Sequence, residues 1–351
     1  VSIVLISKIS SSYLNNIKYY FFLEYESSNC RICLLKLLKI KEFKSTHNLL
    51  ALPVRIRIVV VPCAINFFFT SNEIAEDKLI TTIKRCILCI QDGDYEKAEK
   101  MLHLALRMAQ DIQSKDGITY VFDIMANLAV ERQQFVKAEI LFAEIMKILF
   151  ANKDANIAKI LHISSKMAHI AALKGELGKA VQGFTWTLGE IENNLKNSPD
   201  DKNMQELLGL TKNWFGQLQM KRENYDEAKK LFIESYECLT LFYGTINEEA
   251  LIILNNLSVV CVYLHDFNEA KRYSFKAMDV AKELKDITQE GILQANLGLI
   301  YLKEGLITKA KEICSKAWKV AIKTNNAVAV EQAEYCLNEI DYYNKLIVSK
   351  N

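Results

Sequence analysis

Six alanines set the frame of this chain: Ala98, Ala138, Ala180, Ala228, Ala270 and Ala310. Three residues before each stands a large apolar side chain: Tyr95, Phe135, Leu177, Tyr225, Phe267 and Ile307. Twelve residues before each stands a small one: Cys86, Ala126, Ala168, Gly216, Ser258 and Gly298. Immediately ahead of these come Arg85, Met125, Met167, Phe215, Leu257 and Leu297, all but the arginine large and apolar. Antiparallel helices crossing at about 8–10 Å need small residues where their backbones come closest. The spacing therefore predicts six helix–turn–helix pairs, each with its crossing point at a small residue and an alanine. The clearest copy is Leu251–Leu284, with its turn at His265-Asp266-Phe267 and its second helix beginning at Asn268. Gly93, Gly175 and Gly305 stand where a first helix must stop, which suits a left-handed terminating residue.

The steps between alanines are 40, 42, 48, 42 and 40 residues. HEAT and armadillo repeats have periods of about 40–47 residues, whereas the tetratricopeptide unit has about 34. Period alone leaves both open. The small-residue-to-alanine spacing and the Gly93-x-Tyr95-x-x-Ala98 turn favour tetratricopeptide pairs with lengthened helices. Within the longest step, Asn197-Ser198-Pro199-Asp200-Asp201 reads as a loop with turn chemistry. Ala327–Leu346 reads as an amphipathic helix covering the apolar end that a stacked array exposes. With 3 prolines, 12 glycines and 50% hydrophobic residues, the expectation is an all-α fold. It is a tetratricopeptide-type α-solenoid of about six long helix pairs with a C-terminal capping helix, over residues 73–351.

Residues 1–72 differ in character, with nine Lys/Arg against three Asp/Glu. The first twenty residues hold no acid and are serine-rich, as in a transit peptide, yet no arginine precedes Arg31. Leu49–Phe69 is about long enough to span a bilayer core. It carries Arg55, Arg57, Pro53 and Pro62, and a central arginine costs about 2.5–3.5 kcal/mol on insertion scales. Transit peptide, membrane anchor, or sequence unrelated to the folded body all stay open.

The net charge of +2 gives no reason to expect nucleic acid as a partner. Nine cysteines, an odd number spread over a long chain, argue against a disulfide framework and for a reducing compartment. Cys30-x-x-Cys33 and Cys86-x-x-Cys89 are too far apart for a zinc ribbon, and Cys86 already fills a crossing position. No H-E-x-x-H, phosphate loop or nucleophile elbow occurs, so no catalytic residue, metal, cofactor or small-molecule substrate is expected. His162 and His169 share one helix face and read as solvated or satisfied histidines. Trp186, Trp214 and Trp318 read as core. In stacked pairs the first helices line the surface that holds a ligand. Asn127, Asn255, Asn256 and Asn296 fall on that stripe, with Tyr263 and Lys303 further down the same helices. An asparagine amide both donates to and accepts from a peptide backbone. It equally ties one helix to the next, since buried amides need partners. Both roles stay open.

Gly117–Phe142, GITYVFDIMANLAVERQQFVKAEILF, preceded by YEKAEKMLHLALRMAQ (Tyr95–Gln110), resembles the mitochondrial tetratricopeptide repeat protein 19 family. The likeness covers about residues 73–340 and is weakest around Lys196–Gln205. ILNNLSVV and ANLGLIYL fit the same family but are shared with kinesin light chains, which leaves a cytosolic cargo adaptor as the alternative. The resemblance implies a non-enzymatic scaffold attached to the mitochondrial inner membrane. It also implies support of respiratory complex III, by binding the assembled complex and promoting clearance of Rieske subunit fragments. Its partners would be the complex III core and Rieske subunits.

Overall fold

The computed structural model describes residues 71–151, 156–284 and 287–348. The regular structure of these residues is thirteen α-helices. In chain order they are α1 (Ser71–Gln91), α2 (Tyr95–Asp111), α3 (Lys115–Glu131), α4 (Phe135–Ala151), α5 (Ile157–Lys174), α6 (Leu177–Asn197) and α7 (Lys202–Lys221). There follow α8 (Tyr225–Tyr243), α9 (Glu248–Tyr263), α10 (Phe267–Glu283), α11 (Ile287–Lys303), α12 (Ile307–Lys323) and α13 (Ala327–Val348). The six expected pairs and the final helix are all present. The leader readings fall outside the described residues, apart from Ser71 and Asn72, where α1 begins. No helix among the described residues is long and apolar enough to cross a membrane.

The chain forms two compact units, divided between Met125 and Ala126 inside α3. In the first, α1 packs on α2, and the Cys86 thiol at the crossing donates to the Ala98 carbonyl at 3.5 Å. In the second, from α5 onward each first helix packs on its own second helix, and each second helix from α4 onward on the next first helix. The first helices α5, α7, α9 and α11 also touch in succession, and α13 lies on α11 and α12. All six framing alanines are fully buried. The Ser258 hydroxyl donates to the Ala270 carbonyl at 2.8 Å, repeating the contact of the first pair. A Cβ added at Gly216 would stand 2.6 Å from the Phe232 ring, so a large side chain on one helix demands a glycine on the other. Phe142, Phe184 and Phe232, each four residues after its alanine, are among the largest side chains wholly inside. Burial of each is worth about 2 kcal/mol.

The apolar residue three before each alanine is the first residue of its second helix. The helix expected from Asn268 therefore starts one residue earlier, at Phe267. Two residues before this start the backbone turns left-handed in all six pairs, at Gly93, Gln133, Gly175, Glu223, His265 and Gly305. Half of the turns thus place an ordinary side chain where glycine is the easier choice. Asp94 and Asp266 cap α2 and α10 by accepting from the Lys97 and Glu269 amides. The expected loop after Asn197 ends at Asp201, whose carboxylate caps α7 through the Asn203 and Met204 amides at 3.0 and 3.1 Å.

Two expectations need correction. Trp214 lies in the core with Ala168, Phe184 and Phe215, but Trp186 is 51% exposed and Trp318 is 37% exposed. Both sit on second helices, away from the crossing stripe. The cysteine count also misleads, because Cys314 on α12 and Cys336 on α13 are joined as a disulfide. Cys86, Cys89, Cys238 and Cys261 are free.

Candidate partner-binding cleft

The first helices of the second unit are tied together by polar side chains at matching heights. The Ser165 hydroxyl on α5 lies 3.0 Å from the Thr211 hydroxyl on α7. Two residues on, Asn213 accepts from the Asn256 amide of α9 at 3.1 Å. Asn255 in turn accepts from the Asn296 amide of α11 at 2.8 Å, and Asn296 accepts from Gln332 of α13 at 2.9 Å. These rungs form because first helices at successive repeats stack with the same face inward. Asn213, Asn256 and Asn296 are buried, and an amide left unbonded there would cost about 1–3 kcal/mol. Of the two roles open to Asn255, Asn256 and Asn296, the bond between repeats is present. Each amide retains further donor or acceptor capacity. Asn127 is buried on α3.

At the end of this ladder a cleft opens between α9, α11 and α13. Ser258, Val259 and Val262 form one wall, and Asn296, Leu299, Ile300 and Lys303 the floor. Tyr335 and Glu339 of α13 close the other side. Two residues singled out by sequence, Asn296 and Lys303, thus meet here. Sequence pattern missed Tyr335 and Glu339, because the last helix carries no repeat signature and reads only as a cap. Its Tyr335 and Glu339, one turn apart, are the signal that was available. Tyr263 stands beside the cleft, its ring stacked on Tyr225 at 4.7 Å. Burial, then Tyr225, Tyr335 and Glu223, raise its phenol above the ordinary value, so it stays a hydrogen-bond donor. The Lys303 ammonium lies 5.8 Å above the Tyr343 ring.

The cavity measures about 10 Å³, room for one water-sized group, against the roughly 300–1,000 Å³ of small-molecule sites. Leu299 and Ile300, beside the Lys303 ammonium, the Glu339 carboxylate and the Tyr335 phenol, offer both apolar burial and hydrogen bonds.

His162 and His169 are buried on α5, and His169 packs on Trp214 at 5.3 Å. Burial, then the Lys221 charge, pushes His169 down to about 3. His162 is held well below its ordinary value by burial, then Lys166. Both are neutral at physiological pH, and neither is solvated. Among the described residues no group of three or more His, Cys, Asp or Glu side chains is placed to hold a metal ion. Cys30 and Cys33 lie outside the described residues. Burial, then the neighbouring Cys89, pushes Cys86 up to about 12, as befits a packing residue.

Paired helices, alanine crossings and a first-helix ladder define a tetratricopeptide-type α-solenoid, a class that binds other proteins. The Tetratricopeptide repeat family model matches residues 207–283. Across 270 residues, the chain is 60% identical to the Drosophila melanogaster "Tetratricopeptide repeat protein 19 homolog, mitochondrial", covering 77% of this chain and 73% of the relative. The Homo sapiens "Tetratricopeptide repeat protein 19, mitochondrial" is 28% identical over 278 residues, 76% of this chain and 73% of its own length. Among solved structures, the quorum sensor NprR in complex with its cognate peptide NprX resembles it in fold. That match has a TM-score of 0.55 and 19% identity, and covers 97% of this chain and 87% of that one. The chain belongs to the mitochondrial tetratricopeptide repeat protein 19 family.

Proposed function

We propose that this chain is a mitochondrial protein-interaction scaffold that supports respiratory complex III. It binds the assembled complex and holds extended segments of the Rieske subunit across its first-helix face, which promotes their clearance. The observation that carries the binding mode is the cleft between α9, α11 and α13, too small for a metabolite but flanked by peptide-compatible groups. The complex III assignment rests on family membership. In this reading Asn127, Asn255, Asn256, Asn296, Tyr263 and Lys303 belong to the binding face. The scaffold carries out no reaction of its own. Residues 1–72 act as the targeting and inner-membrane-anchoring leader, and 73–351 as the repeat domain. The kinesin-light-chain-like alternative loses ground to the mitochondrial naming of the relatives.

Fractionation combined with loss of the protein tests this reading. The expected result is inner-membrane recovery of the chain and accumulation of Rieske fragments in its absence. A cytosolic chain with complex III unchanged in its absence contradicts it. N-terminal sequencing of the mature protein tests the leader, with cleavage inside residues 1–72 as the expected outcome.

A further inference from the structure

We infer that Cys314 and Cys336 are a thiol–disulfide modification site that fastens α13 and thereby sets the far wall of the partner cleft. The inference rests, for its functional half, on the binding role proposed above.

Cys314 and Cys336 are 22 residues apart, on neighbouring helices, and both are wholly buried. Their Cα atoms are 6.0 Å apart, inside the roughly 4.4–6.8 Å that a disulfide bridges without moving the backbone. Across from them is Gly298 of α11. A Cβ there would stand 2.2 Å from the Cys314 sulfur and 3.2 Å from the Cys336 sulfur. The crossing-point glycine is therefore the seat of the cystine.

The surroundings leave little slack. Ala295, Ala317 and Ala333, one from each of the three helices, pack together with no exposed surface. A Cβ on Gly291 would lie 3.1 Å from the Ala329 methyl. Small side chains thus bring the three helices into close approach at this junction. Reduction removes the covalent tie between α12 and α13. Without that tie α13 is held by non-covalent contacts alone. It is the last described helix and packs on α11 and α12, so it can shift without unfolding the array. Tyr335 immediately precedes Cys336, and Glu339 follows it by three residues. Gln332, whose amide completes the ladder to Asn296, lies four residues before it. Wall and ladder would loosen together.

The chemistry balances with a small-molecule disulfide as oxidant. A thiolate of the pair attacks oxidised glutathione, releasing one glutathione thiol and forming a mixed disulfide. The second cysteine displaces the other glutathione, so the pair loses two protons and two electrons and two glutathione thiols leave. A reduced dithiol runs the sequence backwards. Because both sulfurs are buried, either direction proceeds through transient opening of α13.

The test compares the full chain equilibrated with oxidised glutathione and with dithiothreitol, with the thiol state read by alkylation and intact mass. Amide hydrogen exchange across Ala327–Val348 is expected to be at least about tenfold slower in the oxidised chain. Equal exchange in the two states overturns the inference. Fluorescent peptides tiling the Rieske subunit then separate the two proposals, and their binding is expected to weaken on reduction. Equal binding in both states overturns the control of the cleft and leaves the binding role standing. Binding in neither state, with the exchange difference present, defeats the binding role and supports the clasp. Cys314→Ser with Cys336→Ser should behave as the reduced chain under both conditions. Should that variant fail to fold, the reduced natural chain carries the same comparison.

Discussion

Asn255 of α9 and Asn296 of α11 meet across adjacent repeats at 2.8 Å, and Asn296 accepts from Gln332 of α13 at 2.9 Å. One side chain thus joins three consecutive first-type helices. Asn296→Ala removes both bonds and strands two partly buried amides. A loss of about 1–3 kcal/mol is expected in urea unfolding. Asn256→Ala together with Asn296→Ala should also weaken partner binding while far-ultraviolet circular dichroism stays helical. Unchanged affinity would assign these residues to the ladder alone.

Gly298 and Gly189 make a controlled pair. Gly298→Leu drives a side chain into the Cys314–Cys336 junction and should lower stability by about 1–3 kcal/mol through overpacking. Gly189, inside α6, has nothing within 4 Å of an added Cβ. Gly189→Ala should raise stability by about 0.5–1 kcal/mol on helix propensity alone. Thermal melting of both variants checks the register, and the same sign at both sites would contradict it.

The shared left-handed turn gives a second pair of opposite signs. Gln133 has φ +57° and Gly175 has φ +84° at the same place in their repeats. Gln133→Gly relieves a strained position and should stabilise by up to about 1 kcal/mol. Gly175→Ala introduces the same strain and should cost about 1–2 kcal/mol. Chemical denaturation of each decides the point.

Glu249 introduces pH dependence. It is buried at the start of α9, and desolvation, then Glu248 and Glu206, pushes its carboxyl from 4.5 to about 7. A raised folded value means that the folded state holds its proton more tightly than the unfolded chain. The associated stability is full below about pH 4.5 and is lost as pH rises through about 7. Glu249→Gln should therefore stabilise by about 2 kcal/mol near pH 8 and have little effect near pH 4. Melting temperatures measured across that range test it.

What the sequence disclosed follows from periodicity. Ala270 with Ser258, and Phe267 at the head of its helix, repeat at fixed spacing because each pair solves the same crossing problem. Architecture, pair count and turn positions were therefore legible. Asn296 and Lys303 could be placed in the cleft because they belong to a repeat. Tyr335 and Glu339 belong to none, and only the folding of α13 against α11 brings them there. Cys314 holds the place four after its alanine that Phe142, Phe184 and Phe232 hold in theirs, but Cys336 belongs to no repeat, so their pairing across 22 residues and a turn was illegible. The left-handed backbone at Gln133, Glu223 and His265 was hidden because glycine marks only the other three turns. Trp186 lies outside the crossing stripe, so a tryptophan's usual burial says nothing about it.

The central claim, that the face ending in the α9–α11–α13 cleft holds complex III, is tested most directly by purifying the tagged full chain from its own mitochondria in mild detergent. Complex III subunits should co-purify with the natural chain. Lys303→Glu with Tyr335→Ala should reduce their recovery about tenfold, the scale expected when central contacts of an interface are lost, while helicity and melting temperature hold. Equal recovery with the folded double variant, or no complex III with the natural chain, would contradict the claim.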